Sequence, residues 1–240
     1  MTRTINLNGV ANLRDLGDLP LAGVGDLTRR GRLLRSDSLH KLDAVGQAYL
    51  RDLGLMTVID LRATSEAIRA PNPFAADTRI GYHNISLFEG ILPRADTPDV
   101  LADMYWRALL ERTAAFAQVM TVIAQAPAGA VLFHCAAGKD RTGMTAAMLL
   151  ALAGVGEDAI VADYALTAER LAPIRQTLIS LAEAEGYTAQ AFVPLLACAP
   201  ETMTATLQAL RARFGSVADY LVMAGVGRQA LHRLTGRLTA

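Results

Sequence analysis

The sequence predicts an α/β fold with a largely parallel central sheet flanked by helices and a helical C-terminal part. Up to about residue 156, short apolar runs rich in β-branched residues alternate with longer stretches of helical periodicity, an alternation that is typical of parallel sheets. Beyond it, over 157–240, the pattern is almost wholly helical, with breaks at prolines and glycines. The chain has 240 residues, a length that suits a single domain over 1–240.

The first half of the chain contains the clearest element boundaries. Residues 31–35 are expected to be extended after a glycine-rich stretch. Ser38 can cap a helix through about Leu53, over which apolar residues recur at helical spacing, and Gly54 ends it, as glycine commonly does. The β-branched run at 56–61 indicates a buried strand, and Thr64 can cap a short helix after it.

The second half of the alternating region predicts two more strands and two long helices. Residues 80–87 alternate weakly and indicate a strand, and 99–125 has a long helical pattern closed by Pro127. The apolar run at 130–133 predicts the central strand, and 142–153 predicts a buried helix directly behind a short loop.

Composition excludes several classes of protein. The 23 basic and 23 acidic residues balance, so no overall field favours nucleic acid or an anionic membrane, and attraction to an anionic substrate must be local. Two cysteines are too few for a disulfide framework. The four histidines show no metal-ligand spacing, and we expect neither a metal nor a cofactor.

The sequence also bears on location. Residues 1–8 contain no apolar signal region, so we expect no secretory signal peptide. The longest uncharged stretch, 142–156, is shorter than the roughly 20 apolar residues that span a bilayer, so we expect no transmembrane segment. The expected location is the cytoplasm, or outside the cell after export by a signal-independent route.

The most informative motif is Cys135-Ala136-Ala137-Gly138-Lys139-Asp140-Arg141, between the predicted central strand and the helix behind it. A helix N-terminus and a nearby guanidinium favour a thiolate over a thiol, and Cys135 lies in both fields. Gly138 permits positive φ, which lets successive backbone amides converge on an anion. Arg141 can hold two phosphate oxygens with its planar fork. The pattern therefore predicts a phosphatase that works through a phosphocysteine intermediate.

The remaining residues of the loop have expected roles as well. The leaving oxygen needs a proton, and we expect Asp140 to supply it, with Asp60 at the end of its strand as the alternative acid or as an organiser of the site. Lys139 adds a second positive charge at the mouth, which favours substrates with several anionic groups. Thr142 can donate its hydroxyl to the cysteine sulfur. The residues expected to bind phosphate or substrate are His134, Ala136, Ala137, Gly138, Lys139 and Thr142.

The segment His134-Cys135-Ala136-Ala137-Gly138-Lys139-Asp140-Arg141-Thr142-Gly143 closely resembles the signature of the bacterial protein tyrosine phosphatase-like family, typified by secreted phosphatases of mycobacteria and Listeria. The resemblance spans nearly the whole chain. The other similar blocks are Asn12-Leu13-Arg14-Asp15-Leu16-Gly17, Gly31-Arg32-Leu33-Leu34-Arg35-Ser36, Val58-Ile59-Asp60-Leu61-Arg62 with Glu66, Asp163-Tyr164, and Phe214-Gly215-Ser216-Val217 with Tyr220-Leu221. One departure is Asp18, where the family often has a second glycine.

This resemblance implies a single phosphatase domain in which Cys135 is the nucleophile, Arg141 binds phosphate and Asp140 is the acid. It implies activity on phosphotyrosine, with phosphoserine, phosphothreonine or phosphoinositides as further candidate substrates. The partner is then a phosphorylated protein or a phosphoinositide, and inorganic phosphate and vanadate are expected site ligands. Some relatives cover the site with a helical lid, and residues 170–200 are the candidate lid here.

Other functions compete with this one. A phosphatase of a small soluble polyphosphate metabolite, such as an inositol phosphate or a nucleotide, uses the same chemistry. A rhodanese-like sulfurtransferase also places a cysteine on an anion-binding loop, but Arg141 and Thr142 argue against it. A catalytically dead phosphate-binding module is disfavoured because nucleophile, anion binder and acid candidates are all present. Arg62 and Glu66 are four residues apart, and the simplest prediction for them is a surface ion pair without a functional role.

Overall fold

A five-stranded sheet with the order β1-β2-β5-β3-β4 lies at the centre of the computed structural model, which describes residues 2–23, 25–94, 97, 99–184 and 186–239. Only the pairing of β1 with β2 is antiparallel, and the other three pairs of neighbouring strands are parallel. The predicted largely parallel sheet is therefore confirmed. The strands are β1 (Arg14–Asp15), β2 (Leu33–Ser36), β3 (Leu55–Asp60), β4 (Gly81–Asn84) and β5 (Ala130–His134).

Helices cover both faces of this sheet and form the C-terminal part of the described chain, as predicted. They are α1 (Ala44–Asp52), α2 (Thr64–Arg69), α3 (Val100–Glu111), α4 (Thr113–Gln125), α5 (Asp140–Ala153), α6 (Glu157–Ala165), α7 (Thr167–Leu171), α8 (Arg175–Ala184), α9 (Ala189–Phe192), α10 (Pro200–Phe214), α11 (Val217–Met223) and α12 (Arg228–Thr239). Within the described residues, no helix combines the length and hydrophobicity that crossing a bilayer requires.

The strand β5 shows how the sheet separates two apolar cores. Val131 and Phe133 point into the larger core, which is built with most of the helices. Ala130 and Leu132 point into a smaller core on the opposite face, where Leu50 of α1 packs. Because successive side chains of a strand alternate between faces, an uninterrupted apolar run is what a strand buried on both faces requires.

Two predicted helices differ from the observed ones. The helix expected over 38–53 begins only at Ala44, because the Asp43 carboxylate caps it by accepting a hydrogen bond from the Gly46 N–H at 2.8 Å. The helix expected over 99–125 is two helices, α3 and α4, separated at Arg112, whose φ of −117° and ψ of 25° lie outside the helical region. The Arg112 guanidinium donates to the Ser86 carbonyl at 3.1 Å, a tertiary contact that periodicity does not reveal.

The register of the parallel strands assembles the site. Ser36 of β2 and Asp60 of β3 both lie beside His134, the last residue of β5. Parallel strands end at the same edge of a sheet, and this edge commonly carries the active site in α/β folds. Cys135 is thus placed at the carboxyl edge of the sheet, at the centre of the three strands.

Candidate active site

The loop from Cys135 to the start of α5 is shaped by donors that bind its carbonyl oxygens from outside. The Ser38 N–H donates to the Ala136 carbonyl at 2.9 Å. The Asn12 side-chain amide donates to the carbonyls of Ala137 and Gly138, both at 3.0 Å. In a planar trans peptide the carbonyl and the N–H point in opposite directions, so the following amides are turned toward the inside of the loop. Such converging amides bind anions.

Gly138 allows this close approach. Its φ is +66°, a region that residues with a Cβ rarely adopt. A Cβ at this position would lie 2.5 Å from the Ser36 carbonyl oxygen and 2.6 Å from the Asp37 nitrogen. The loop therefore packs its backbone directly on the end of β2, and only glycine fits between them.

Arg141, in the first turn of α5, is held by Glu66 of α2. Its Nη1 donates to Glu66 Oε2 at 2.6 Å and its Nη2 donates to Oε1 at 3.3 Å, while the guanidinium lies 5.9 Å from the centre of the Phe88 ring. Burial alone lowers the pKa of a guanidinium, but the neighbouring Cys135 sulfur and the Glu66 carboxylate raise the pKa of Arg141 above its usual range. A permanent positive charge is thus fixed beside the buried sulfur.

This ion pair corrects one expectation. Arg62 and Glu66 do not form the predicted surface pair, because the Arg62 guanidinium binds Asp60 and Glu66 binds Arg141. The four-residue spacing is helical only if both residues lie on one helix, and Arg62 precedes α2. Glu66 is therefore a site residue, although its spacing from Arg62 predicted a surface position.

Asp140 begins α5 with a carboxylate that is 24% exposed. Its Oδ1 accepts a hydrogen bond from the Tyr105 hydroxyl at 2.6 Å and lies 2.7 Å from the Lys139 Nζ. The Tyr105 hydroxyl also lies 2.9 Å from the Tyr164 hydroxyl. Two donors thus orient one carboxylate oxygen, and the residue keeps access to solvent at the mouth of the loop.

Lys139 differs from the expectation of a positive charge at the mouth. Its side chain is only 1% exposed. Its Nζ donates to the Ala197 carbonyl at 2.8 Å and forms the ion pair with Asp140. A buried ammonium must be compensated by such partners, so the charge of Lys139 is neutralised by groups of the protein itself.

Asp60 has an environment that does not suit a proton donor. Its side chain is 0% exposed. It accepts two hydrogen bonds from the Arg62 guanidinium, at 2.8 and 2.6 Å, and one from the Tyr82 hydroxyl at 2.9 Å. Burial acts to raise the pKa of Asp60, but the hydrogen bonds and charge of Arg62 hold that pKa below its usual range. Of the two predicted roles, the geometry favours the organiser over the alternative acid.

His134 was expected to bind phosphate, yet both of its ring nitrogens are occupied by the protein. Nδ1 lies 3.1 Å from the Cys135 carbonyl and Nε2 lies 2.8 Å from the Asn72 side-chain amide. Burial lowers the pKa of His134 to about 4, so the ring is neutral at neutral pH. We assign the Nδ1 proton to the bond with the carbonyl, which leaves Nε2 to accept from Asn72. His134 therefore supports the start of the loop, and neither ring nitrogen is left to bind phosphate.

Thr142 lies in the first turn of α5 with its side chain fully buried. Its hydroxyl has no hydrogen-bond partner among the described residues, so the predicted bond to the Cys135 sulfur is not formed in this arrangement. Leaving a buried hydroxyl unpaired costs about 1–3 kcal/mol. Within the described part of the chain, this side chain is thus a donor without a partner, directly behind the loop.

A buried ion cluster supports the loop from below, and the sequence pattern alone does not assign it a role. Asp163 of α6 forms ion pairs with Arg3 at 2.8 Å, Arg14 at 3.1 Å and Arg35 at 2.6 Å, and Arg35 also donates to the Gly138 carbonyl at 2.8 Å. Burial acts to raise the pKa of Asp163, but the three guanidinium charges hold it well below its usual range. The available signal was the placement of charged residues inside apolar runs, which indicates buried pairs.

The predicted lid segment is helical and has fixed ends. Between α7 and α10 the described residues contain two 3₁₀ turns and the helices α8 and α9, and Glu185 lies outside the described residues. Arg170 donates to the Ala11 carbonyl and to the Asn6 side chain, both at 3.0 Å. At the other end, the Ala197 carbonyl binds Lys139 of the loop.

A sheet edge that presents a buried cysteine and a fixed arginine on one anion-binding loop defines the class of cysteine-dependent phosphatases. Comparison with known proteins agrees with this class. A sequence profile described as the tyrosine phosphatase family matches residues 5–240. The chain belongs to the tyrosine phosphatase family, and it is a phosphatase.

Individual relatives are similar over most of the chain. A putative tyrosine-protein phosphatase of Cupriavidus necator is 35% identical over 225 residues, covering 88% of this chain and 80% of that protein. The triple specificity protein phosphatase PtpB of Mycobacterium tuberculosis is 28% identical, covering 97% and 98%. Among solved structures, TpbA of P. aeruginosa in complex with pTyr has a TM-score of 0.35 at 20% identity, covering 56% of this chain and 67% of that one.

Proposed function

We propose that this phosphatase hydrolyses phosphotyrosine through a phosphocysteine intermediate on Cys135. The observation that carries the proposal is the loop itself. Its carbonyls are bound from outside by Asn12, Arg35 and the Ser38 amide, while Arg141 is fixed by Glu66. Such a loop holds a phosphate group with preorganised donors in front of the cysteine sulfur. This positioning and electrostatic stabilisation is the principal source of catalysis in phosphoryl transfer.

In the first step, the Cys135 sulfur attacks phosphorus as the bond from phosphorus to the tyrosine oxygen breaks. The inward amides and the Arg141 fork hold the three non-bridging oxygens, where charge is greatest. Asp140 gives its proton to the departing tyrosine oxygen. Its 24% exposure at the mouth supports this role, because the carboxyl group is accessible to a bound substrate.

In the second step, water attacks the phosphorus of the phosphocysteine and the sulfur leaves. Asp140 now takes the proton from the water, and inorganic phosphate is released. The Thr142 hydroxyl, unpartnered among the described residues, donates to the departing sulfur. Asp60 acts as a positioning residue, because it holds Arg62 and the Tyr82 hydroxyl at the end of β3.

The substrate range extends to phosphoserine and phosphothreonine in this proposal, with phosphoinositides as further candidates. The relative named as a triple specificity phosphatase, which matches nearly the full chain, supports a broad range. A small soluble polyphosphate metabolite is less favoured, because the charge of Lys139 is engaged by Asp140 and Ala197.

We also propose that residues 170–200 act as a lid within a single domain over 1–240. The contact between the Lys139 Nζ and the Ala197 carbonyl supports this, because it joins the segment directly to the catalytic loop. Opening of the segment would break this contact and uncover the catalytic loop.

The test is metal-independent phosphate release from phosphotyrosine, phosphoserine and phosphothreonine peptides. Cys135→Ser should abolish release, whereas Cys198→Ser, which changes the other buried free cysteine, should retain it. With a poor leaving group, Asp140→Asn should remove the limb of the pH profile that reports the general acid. Full activity of Cys135→Ser would end the proposal, and an unchanged profile of Asp140→Asn would end the assignment of the acid.

A further inference from the structure

A depression of about 290 Å³ lies between the segment before β2, the end of α4 and the helix α12. Four arginines line it: Arg29, Arg32, Arg233 and Arg237. The other lining residues are alanines and glycines, whose small side chains leave the depression open. Its volume is at the lower limit of ordinary ligand sites.

This depression is separate from the catalytic loop. Arg32 directly precedes β2 and Gly129 directly precedes β5, whereas Cys135 directly follows β5. The five residues of β5 therefore separate the two sites by roughly 17 Å along the strand direction. The arginines lie at the amino edge of the parallel sheet.

No carboxylate of the described residues neutralises the positive charge in the depression. In the part of the chain that the structure describes, none of the four arginines forms an ion pair with a carboxylate. The chain as a whole balances 23 basic against 23 acidic residues. A concentration of four guanidinium groups without acidic partners is therefore a local feature, not a consequence of a basic protein.

One of these guanidinium groups is fixed in place. Arg237 donates to the carbonyls of Ala126, Pro127 and Gly129, at the end of α4 and beyond it, the last two at 3.1 and 3.4 Å. Arg32 lines the same depression, and burial and the charge of Arg32 lower the pKa of Arg237. Arg233 and Arg237 are four residues apart on α12, a spacing that places side chains on one helix face.

We infer that this depression is a second anion site that binds a polyphosphate group. Guanidinium forks match phosphate oxygens in geometry, and several forks around one depression suit two or more linked phosphates better than a single carboxylate. A bound polyphosphate would also relieve the repulsion between Arg32 and Arg237. The polyphosphate can belong to a soluble metabolite or to a lipid headgroup, and cosedimentation with vesicles separates the two sources.

The experiment titrates tripolyphosphate into the full chain by calorimetry at low salt, where such contacts are least screened. Compared with wild type, Arg32→Gln with Arg233→Gln should bind one equivalent fewer. Arg233→Gln alone should weaken that equivalent about tenfold, the usual cost of one charge-assisted contact. The count is independent of the catalytic loop, because any tripolyphosphate bound there is common to all the proteins.

The matched control is Arg213→Gln with Arg228→Gln, which removes the same charge from exposed positions outside the depression. This control should bind as many equivalents as wild type. Unchanged stoichiometry in the Arg32 and Arg233 double variant would overturn the inference, as would an equal loss in the control, which would indicate only general charge attraction. None of these arginines forms an ion pair in the described chain, so melting by circular dichroism should match wild type.

The source of the polyphosphate is read from sedimentation with phosphatidylcholine vesicles, with and without phosphatidylinositol bisphosphate. Cosedimentation that requires the bisphosphate and is lost in the Arg32 and Arg233 double variant identifies a lipid headgroup. Tripolyphosphate binding without cosedimentation identifies a soluble polyphosphate. Absence of both would overturn the inference.

Discussion

The ion pair between Glu66 and Arg141 offers the sharpest test of how the site is organised. The Glu66→Gln variant keeps the shape of the side chain but removes its charge. The pair has one short contact of 2.6 Å and one longer contact of 3.3 Å, and a hydrogen bond to a charged group contributes about 1.5–3 kcal/mol. An amide oxygen retains part of the short contact, and Phe88 still packs against the guanidinium. We therefore expect a loss of about 2 kcal/mol, which is a roughly thirtyfold lower kcat/KM.

The assay is steady-state hydrolysis of a phosphoaryl substrate by wild type and variant, with folding checked by thermal melting. Glu111→Gln is the control, because Glu111 also pairs with an arginine, Arg107, at 3.4 Å but at the surface. Exposed pairs contribute about 0–1 kcal/mol, so its kcat/KM should stay close to wild type. An unchanged kcat/KM in Glu66→Gln would refute the claim that Glu66 holds Arg141 for catalysis.

Three further predictions concern the loop and its support. Gly138→Ala should abolish activity, because the new Cβ would overlap the backbone at the end of β2. The control Gly154→Ala, also at positive φ but in open space, should keep its activity. Equal activity of the two variants would contradict the close packing of the loop on β2. In the unfolded chain a histidine has a pKa near 6.5, whereas folding holds the pKa of His134 at about 4. The free energy of unfolding should therefore fall by roughly 3 kcal/mol as the pH drops from about 6.5 to about 4. Urea unfolding of His134→Gln should show a shallower fall with pH, and the same pH dependence as wild type would refute the claim that His134 is buried in its neutral form. Asp163→Asn should lower the free energy of unfolding in urea by about 3–5 kcal/mol, because it leaves buried arginines uncompensated. Asp158→Asn, an exposed position on the same helix, should lower it by less than about 1 kcal/mol. Similar losses in the two variants would contradict a stabilising role of the buried ion cluster.

Much of the fold follows from local patterns. The apolar run of β5 and the helix behind it were predicted within two residues, because a strand buried on both faces and an apolar helix leave strong signals. The division at Arg112 was not predicted, since no proline or glycine marks it and the cause is a tertiary contact with the Ser86 carbonyl. The start of α1 was misplaced because Ser38 and Asp43 are both good caps by type, and only Asp43 makes the capping bond.

The site also contains features that the sequence predicts and features that it does not. The loop residues are contiguous, so their spacing alone predicted an anion-binding turn. The partners that shape the loop come from distant segments: Asn12 precedes β1, Glu66 lies on α2 and Asp163 on α6. Their contacts depend on how the strands and helices pack, which the sequence pattern does not specify. Lys139 was misplaced for a related reason, because its partner Ala197 is 58 residues away.

Trapping the covalent intermediate tests the central claim most directly. Asp140→Asn should slow hydrolysis of the intermediate, whereas a phosphoaryl substrate with a good leaving group needs no acid to form it. We expect a burst of one equivalent of phenolate, with mass spectrometry of the rapidly denatured enzyme locating one phosphoryl group on Cys135. Continued turnover with no burst and with Cys135 unmodified throughout would contradict the account.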